Sequence, residues 1–434
     1  MKAHRKLFTV SSILAGSLAF AACARGGDSP DPSTDPSIDP GTSIAISEEG
    51  SGVHVNAITE APTGFDSSNN GFCASQAVMD TARGSFEQVE GFDDGIGPVF
   101  NNISCVSCHQ NPTTATGAGS QISELRAGHF NGITFTDHPG GSLINDRAND
   151  RSIQEHILSG NEVRTLRLTL STTGDGFVES IDSNTLVAIS NAQPAGQRGT
   201  VIQVPVAEAG GATRVGRFGW KNQNASLLTF SGDAYVNEMG ITNRLFPTEN
   251  TSNGTNVQGG PFDGKADPAG DAEDTESDID AFALFMRCQK APPRGPINAN
   301  VTAGQTVFTQ IGCAVCHTAT ITTAPAGTVI NAGRFTVPTA LGDKNIHPFG
   351  DFLLHDVGTG DGIVQNGGQG TRNQVRTAPL WGIGARTRFM HDGASVTASD
   401  AIQRHNNQAA TAKNNFNALS ATSQQNVLAF IFSL

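Results

Sequence analysis

The pentapeptide Cys-x-x-Cys-His occurs twice in this chain, as CVSCH at 105–109 and as CAVCH at 313–317. In an exported protein this pattern is the attachment signature of a c-type haem. The two thiols add to the porphyrin vinyl groups as thioethers, and the adjoining imidazole ligates the iron. We therefore expect two covalent haems. The residues expected to attach them and to ligate their iron are Cys105, Cys108, His109, Cys313, Cys316 and His317.

Cys-x-x-Cys is also used by dithiol enzymes and by zinc sites. Neither of these needs a histidine at the next position. A zinc site would also need a second ligand pair nearby, whereas the two pentads lie in different halves of the chain. Two separate haem centres are the better interpretation.

The N-terminus predicts export. Three basic residues precede an apolar run over 7–22, which ends at Cys23 and is typical of a signal peptide over 1–23. The letters FAAC resemble a bacterial lipobox, so we expect a lipid on Cys23 and a periplasmic, membrane-anchored protein. The alternative is an ordinary cleaved signal, which also exports the chain. Residues 24–58, rich in Asp, Pro, Ser and Gly at their start, are expected to form a disordered tether.

Composition narrows the function classes. The net charge is −13 and no basic cluster follows the signal, which argues against nucleic-acid binding. With Gly 50, Pro 20 and only 15% charged residues, long loops are expected. The fold class predicted is mainly α with irregular loops and some β insertions, in two cytochrome c-like domains. These are a haem domain with a long insert over 59–291 and a C-terminal cytochrome c domain over 292–434.

Apolar spacing locates individual elements. Ile279, Phe282 and Phe285 recur at helical intervals over 278–286, and the letters APPRGP then break the helix. A second helix is expected after a Thr302 cap, and a closing helix over 420–434. Alternating β-branched residues over 200–208 indicate strand structure.

Two further cysteines, Cys73 and Cys288, belong to neither the pentads nor the lipobox. Spare cysteines in an oxidising compartment most often pair, so a disulfide is expected. The alternative is two buried free thiols, because pairing depends on a Cα separation that sequence does not give.

Several longer stretches resemble the bacterial di-haem oxidoreductase and peroxidase family, distant relatives of di-haem cytochrome c peroxidases. They are GPVFNNISCVSCHQNP, GDGFVESI, VGRFGWKNQNASL, NEMGITNRLFP, GCAVCHT, FGDFLLHDVG, RTAPLWGIG and FMHDGASVTASDAIQRH. The resemblance covers most of the chain. Other members are labelled thiol oxidoreductases or, more distantly, polyisoprene-cleaving dioxygenases, so the resemblance implies the fold more firmly than the reaction.

The resemblance implies His405 as the second ligand of the second haem, because relatives place that ligand fourteen residues after their HDG motif, here at 391–393. The alternative is a surface histidine at a helix end. His391 is expected beside this haem, with Asp392 fixing its tautomer, or as part of a structural turn. His355, beside Asp356, is expected to contact a propionate or to support the haem.

Relatives also hold calcium between the haems through a Thr and a Pro just before the HDG motif. Those positions are Arg386 and Arg388 here, which argues against calcium.

The first haem is expected to have an open side. Three histidines could close it, His129, His138 and His156, of which His129 is the best candidate. Splitting peroxide at an open iron needs a proton-transfer group, for which Glu179 is the candidate. A solvated loop glutamate is the alternative.

Trp220 is expected to carry electrons between the haems, as a tryptophan does in peroxidase relatives. The alternatives are Trp381 or a purely packing role.

Together these features predict an exported di-haem c-type cytochrome oxidoreductase. It passes electrons from a small redox donor protein, through the second haem, to the first. There they are used on peroxide, or on O2 with an organic substrate. The alternatives are an electron carrier, a haem dioxygenase or a thiol-disulfide enzyme.

Overall fold

The computed structural model describes residues 53–110, 121–257, 273–275 and 277–434. The signal peptide, Cys23 and most of the 24–58 tether lie outside the described residues. Residues 53–58, at the end of the proposed tether, are exposed and lack helix or strand.

The longest helix of the described residues has 13 residues, and none in that part of the chain is long and apolar enough to cross a membrane. The helices are α1 Gln76–Glu87, α2 Asp175–Glu179, α3 Ser183–Ala192, α4 Leu227–Met239, α5 Asp278–Cys288, α6 Ala299–Gln310, α7 Ala398–Arg404, α8 Ala410–Asn417 and α9 Ala421–Phe432.

The strands are short and spread along the chain. They are β1 Thr59–Glu60, β2 Val99–Phe100, β3 Ile122–Phe130, β4 Phe135–Asp137, β5 Leu143–Ile144, β6 Arg147–Ala148, β7 Val163–Leu168, β8 Gln203–Val206, β9 Ala212–Val215, β10 Ile321–Thr322, β11 Val329–Ile330, β12 Phe335–Thr336, β13 Lys344–Ile346, β14 Leu354–His355 and β15 Val375–Arg376.

Three helices correspond to the sequence predictions. Helix α5 buries Ile279, Phe282 and Phe285, as the spacing predicts. Helix α9 begins directly after Ser420, whose side chain accepts the backbone N–H of Ser423. The predicted Thr302 cap is wrong: α6 begins one turn earlier, because the Asn298 side chain already accepts a backbone N–H there.

The sheets are small. In the part of the chain that the structure describes, the largest is built on β3, which pairs antiparallel with β4, β5 and β7. Strands β8 and β9 form the antiparallel pair expected from the β-branched segment. Strand β1 pairs in parallel with β13, which in turn pairs with β10.

Residues on both sides of the predicted boundary at 291/292 share one core. Strands β1 and β13 lie on opposite sides of it, and one apolar cluster contains Phe177, Phe218, Leu341 and Trp381. The described residues belong to a single compact unit.

The predicted fold class is therefore wrong. The described chain is 34% helical and 16% strand, and it does not show two cytochrome c-like domains. The physical reason is that the segments after the pentads, rich in Gly and β-branched residues, form small sheets instead of continuing the helices.

Candidate functional site

The two pentads fold in the same way. Residues Cys105–Ser107 and Cys313–Val315 each form one turn of 3₁₀-helix. The backbone N–H of His109 then donates to the Cys105 carbonyl at 3.1 Å, and that of His317 donates to the Cys313 carbonyl at 3.0 Å. Each turn thus sets two cysteines and the histidine on a compact loop.

The surroundings of the two histidines also repeat. The ring of Phe86 on α1 lies 6.0 Å from His109, and the ring of Phe308 on α6 lies 6.0 Å from His317. Each phenylalanine packs on a partner helix, Phe86 on Phe285 of α5 at 5.2 Å and Phe308 on Phe430 of α9 at 5.1 Å. Sequence analysis found only the pentads as a repeat, because the chain between helix and pentad differs in length between the two copies.

A large cavity opens beside the second pentad. Its walls include Cys313, Cys316, His317 and His405, and it encloses about 1360 Å³, part of it open to solvent. The Nδ1 atom of His317 lies 3.0 Å from the Phe349 carbonyl, and that of His405 lies 2.7 Å from the Ala401 carbonyl. These contacts leave Nε2 of both imidazoles available to a metal.

Both imidazoles favour the neutral form that binds iron. Burial lowers the pKa of His317 to about 4, and the nearby His405 contributes to this shift. Burial likewise lowers the pKa of His405. His405 is the residue after α7 and half-buried, so it is not a solvated surface side chain.

The rest of the cavity suits a porphyrin. A buried guanidinium, Arg376, and a half-buried one, Arg386, line it, and desolvation lowers the pKa of each to about 10. Such cations would pair with haem propionates. The apolar lining residues include Phe308, Leu380, Ile383, Ile402 and Ile431. The residues present therefore fit a haem held by Cys313 and Cys316.

His391 lines the same cavity, but the prediction that Asp392 fixes its tautomer is wrong. Asp392 forms an ion pair with Arg404, while Nε2 of His391 contacts the Thr359 carbonyl. The backbone carbonyl therefore orients this imidazole, and the Asp392 carboxylate is held by the nearer guanidinium.

His355 is fully buried beside the second pentad. Its Nδ1 lies 3.7 Å from Sγ of Cys316, and its Nε2 lies 2.8 Å from the Asp351 carboxylate. That hydrogen bond to Asp351, opposing the effect of burial, raises the pKa of His355 to about 10. Its acidic partner is thus Asp351 and not the adjacent Asp356, which accepts backbone N–H of Gly358 instead.

The three candidate ligands for the first haem lie elsewhere. His129 is 49% exposed and pairs with Glu162 at 2.8 Å. His138 has both ring nitrogens occupied, by the Pro139 carbonyl at 2.9 Å and the Leu158 N–H at 3.2 Å. His156 is exposed. These positions argue against all three as the second ligand.

Glu179 does not line the cavity beside the second pentad. Its carboxylate accepts two bonds from Arg287, at 2.6 and 2.9 Å, one from the Leu227 N–H and one from Asn331. Burial alone would raise the pKa of Glu179, but the Arg287 guanidinium beside it keeps that pKa below its usual value. The prediction of a proton-transfer role does not agree with this placement, because an ion-paired carboxylate with four donors is a poor proton acceptor.

A second cavity, of about 1500 Å³ with part of it open to solvent, is lined mainly by polar residues, and residues of the first pentad are not among those that line it. Glu238 lines it, with its Oε2 accepting from Asn101 Nδ2 at 2.8 Å. The neighbouring Asn102 reaches Sγ of Cys108 at 3.5 Å. Burial, together with the charge of Glu124, raises the pKa of Glu238 to about 8. Other acidic residues in this wall are Glu124, Asp137, Glu155 and Asp233.

Sequence analysis missed Glu238. The signal that could have found it is its place in the stretch NEMGITNRLFP, one of those that resemble the family.

Trp220 is buried beside the second pentad. It lines the cavity of the second pentad, and its indole N–H donates to the Leu168 carbonyl at 2.7 Å. Thr169, which follows Leu168 in the sequence, lies close to Cys108 of the first pentad. Its hydroxyl favours the charged form of the Cys108 thiol. Trp381 is buried in the shared core.

The cysteines that the structure describes fall into a disulfide-bonded pair and the four cysteines of the pentads. Cys73 and Cys288 form a disulfide with a Cα separation of 5.5 Å. The pentad cysteines are not disulfide-bonded, and burial raises the pKa of Cys105 and of Cys313 to about 12. A reactive dithiol needs a lowered pKa, so these surroundings argue against a thiol-disulfide enzyme.

Among solved structures, the chain is similar to hydrazine synthase of Kuenenia stuttgartiensis and to a MauG-like protein associated with microbial copper homeostasis. The first match has 13% identity and a TM-score of 0.36 and covers 93% of this chain and 100% of that one. The second has 13% identity and a TM-score of 0.37 and covers 87% of this chain and 93% of that one. These scores carry no functional argument.

No curated protein gives a match. The profile of a family described as "Di-haem oxidoreductase, putative peroxidase" matches residues 113–434, which include the second pentad, His391 and His405. The first pentad lies just before the matched region. The family resemblance is thus confirmed, and with two pentads, one cavity built for a porphyrin and this match, the chain belongs to the di-haem oxidoreductase family and is an oxidoreductase.

Proposed function

We propose that the protein is an exported, peroxidase-like oxidoreductase with two covalent c-type haems, one closed at the second pentad and one open at the first. When bound, the haems supply electron transfer and, at a vacant iron position, the binding of peroxide. One observation carries the proposal: the second pentad faces a cavity that already contains a second histidine, whereas the three histidine candidates for the first pentad lie elsewhere.

At the second site, His317 and His405 would supply the two imidazole ligands of a bound haem. Cys313 and Cys316 would attach its porphyrin, and the arginines 376 and 386 would pair with its propionates. A haem held in this way would leave no position for peroxide and would serve to pass electrons.

Trp220 provides the path between the sites. Its ring lines the second cavity and its N–H is bonded to the Leu168 carbonyl, one residue from the Thr169 side chain beside Cys108. We infer that electrons from a small redox donor protein enter at the second site and reach the first past Trp220.

At the first site, Glu238 moves the proton. Peroxide must lose a proton from one oxygen and receive one on the other as water leaves. A partly buried carboxyl with a pKa near 8 can do both at neutral pH, and the adjoining polar cavity gives peroxide access. Glu238 takes the role that sequence analysis gave to Glu179.

Cellular placement follows from the N-terminal sequence. We propose that residues 1–23 direct export and that Cys23 carries a lipid anchor in the periplasm.

The second candidate reaction is the oxidation of an organic substrate with O2 at the open first haem site. The size of the polar cavity lined by Glu238 favours it.

The test compares Glu238→Gln with Asp137→Asn in purified, haem-loaded protein. Asp137 is a matched control because its carboxyl lines the same cavity and its pKa is also raised by burial. We expect the Glu238 variant to react with hydrogen peroxide at least about a hundredfold more slowly, because it has lost the proton-transfer group. The Asp137 variant should react at close to the parent rate.

The rate of the peroxide reaction should also rise as the pH approaches 8, and this rise should vanish in Glu238→Gln. Two results would contradict the proposal: equal rates for parent and Glu238→Gln, or low-spin spectra for both haems with no response to peroxide or carbon monoxide. The latter result would indicate an electron carrier.

A further inference from the structure

The chain has a single tyrosine, Tyr235, against 24 phenylalanines. This residue lies on α4 and is 3% exposed. It belongs to an apolar cluster that also contains Phe86 and Phe282, and Cys105 of the first pentad packs against that cluster. The one phenol of the protein is therefore buried next to the first pentad.

A chain of aromatic rings connects Tyr235 to the expected iron ligand. The Tyr235 ring lies 5.1 Å from Phe282, Phe282 lies 6.1 Å from Phe86, and Phe86 lies 6.0 Å from His109. The rings of each pair meet edge to face. Because the ring centroids of successive residues lie 5.1 to 6.1 Å apart, this path suits electron transfer from Tyr235 to His109.

Tyr235 also has a buried acceptor for its proton. Its hydroxyl lies 3.4 Å from Oε1 of Glu90, which is 4% exposed. The Glu90 carboxylate has one other side-chain partner, Gln88, at 3.1 Å. Its backbone N–H donates to the Ile103 carbonyl at 2.8 Å, so Glu90 is fixed to the segment that leads into the first pentad.

We propose that Tyr235 is a redox-active residue that supplies an electron to the first haem site. Hydrogen peroxide is the oxidant: it accepts two electrons and two protons to give two waters, and both of these protons come from solvent water. One electron leaves the Tyr235 phenol along the path Phe282, Phe86 and His109, and the phenolic proton passes to Oε1 of Glu90. The second electron would come from the haem sites, which the small redox donor protein reduces again. The O–H bond of Tyr235 breaks, an O–H bond forms on Glu90, and a neutral tyrosyl radical remains.

The proton transfer is required by the surroundings of the phenol. Burial raises the pKa of Tyr235, so the phenolate does not form, and an oxidised phenol that kept its proton would be a buried cation without a partner. Burial also raises the pKa of Glu90, which makes it a better proton acceptor than an exposed glutamate.

The inference rests on the proposed open haem at the first pentad, and the experiment separates the two. Haem-loaded protein is mixed with hydrogen peroxide, frozen within milliseconds and examined by electron paramagnetic resonance and by optical spectroscopy. We expect a tyrosyl radical whose hyperfine pattern narrows when the protein is grown with ring-deuterated tyrosine. Since there is one tyrosine, this labelling assigns the signal to Tyr235.

Three variants make the test specific. Tyr235→Phe removes one hydroxyl and should abolish the signal while the optical response to peroxide remains. Glu90→Gln keeps the phenol and should lower the radical yield at least about tenfold, because the proton acceptor is lost. Phe92→Leu, which alters an exposed phenylalanine outside the path, should leave the yield unchanged.

An optical response to peroxide without a tyrosyl radical, or a radical insensitive to the deuterium label, would overturn the inference and leave the proposed function standing. No optical response to peroxide would overturn both.

Discussion

Glu179 and Glu238 show how surroundings decide the role of a glutamate. Both carboxyls are buried or nearly so, but Glu179 has four hydrogen-bond donors, two of them from Arg287, whereas Glu238 has the Asn101 amide. Arg287 keeps the pKa of the first below its usual value, whereas burial and Glu124 raise the pKa of the second to about 8. Only the second can exchange a proton near neutral pH.

His405 is the residue on which the proposed asymmetry of the two sites depends. Replacing it with glycine should convert the second haem from low spin to high spin, because the iron would lose its second imidazole while the cavity stays open. Added imidazole should restore the low-spin spectrum. Optical and electron paramagnetic resonance spectra of the ferric protein check this.

His391→Gln is the matched control, since His391 lines the same cavity. It should keep the low-spin spectrum. If His405→Gly stayed low-spin without added imidazole, another residue would have to be the ligand.

At the residue scale, features formed by residues close together in the sequence could be predicted. The pentads are contiguous, and the family motif gives the position of His405. The partners of Glu179 and of His391 could not be predicted, because Arg287 lies 108 residues from Glu179 and Thr359 lies 32 residues from His391. A carboxylate or an imidazole in a sequence does not show which distant group will reach it.

At the element scale, the helix pair α6 and α9 supports the second pentad through a close crossing. A Cβ on Gly304 of α6 would lie 1.9 Å from the Asn426 carbonyl oxygen of α9 and 2.8 Å from Cβ of Phe430. The crossing therefore requires glycine at this position.

Gly304→Ala should lower the free energy of unfolding by about 1–3 kcal/mol, because the extra methyl forces the two helices apart. Denaturant unfolding followed by circular dichroism measures the change. The α1 helix offers a matched control at Gly84, where a Cβ meets nothing within 4 Å.

Gly84→Ala should raise the free energy of unfolding by about 1 kcal/mol, since alanine is the better helix former at an exposed helical site. Equal effects of the two substitutions would mean that the α6–α9 crossing is looser than described.

Elements with a strong local signal were predicted well. The apolar face of α5 and the β8–β9 segment follow from side-chain periodicity. The two-residue strands such as β11 and β14 could not be predicted, because a single pair of residues carries no period and its pairing depends on a distant partner.

At the scale of the whole molecule, buried acids set the pH dependence of stability. Burial raises the pKa of Glu238 to about 8 and that of Asp175 to about 7. Both groups are already ionised in the unfolded chain above about pH 5, so above that pH the folded chain binds more protons. Its stability is therefore lost as pH rises through these folded pKa values.

We expect the free energy of unfolding to fall between about pH 5 and about pH 8 and to level off above that. A Glu238→Gln, Asp175→Asn double variant should show a flatter dependence in thermal unfolding followed over this range. An increase of stability across the same range in the parent protein would contradict these pKa directions.

The arrangement of the whole molecule was the least predictable level. Thr59 of β1 pairs with Lys344 of β13, and the sheet they share lies across the boundary expected from the pentads. Two pentads suggest two modules, but the burial of residues from both halves in one core depends on contacts between chain segments far apart in sequence.

The Cys73–Cys288 bond bears on how the protein is made. It closes a loop of chain that contains Cys105 and Cys108 and excludes the other pentad. If the pentads attach haem as proposed, a producing cell must oxidise this one pair while keeping the four pentad thiols reduced until their porphyrins are bound. Expression in a host with poorly balanced thiol chemistry should therefore yield material that is defective first at the N-terminal centre, with the C-terminal centre still loaded.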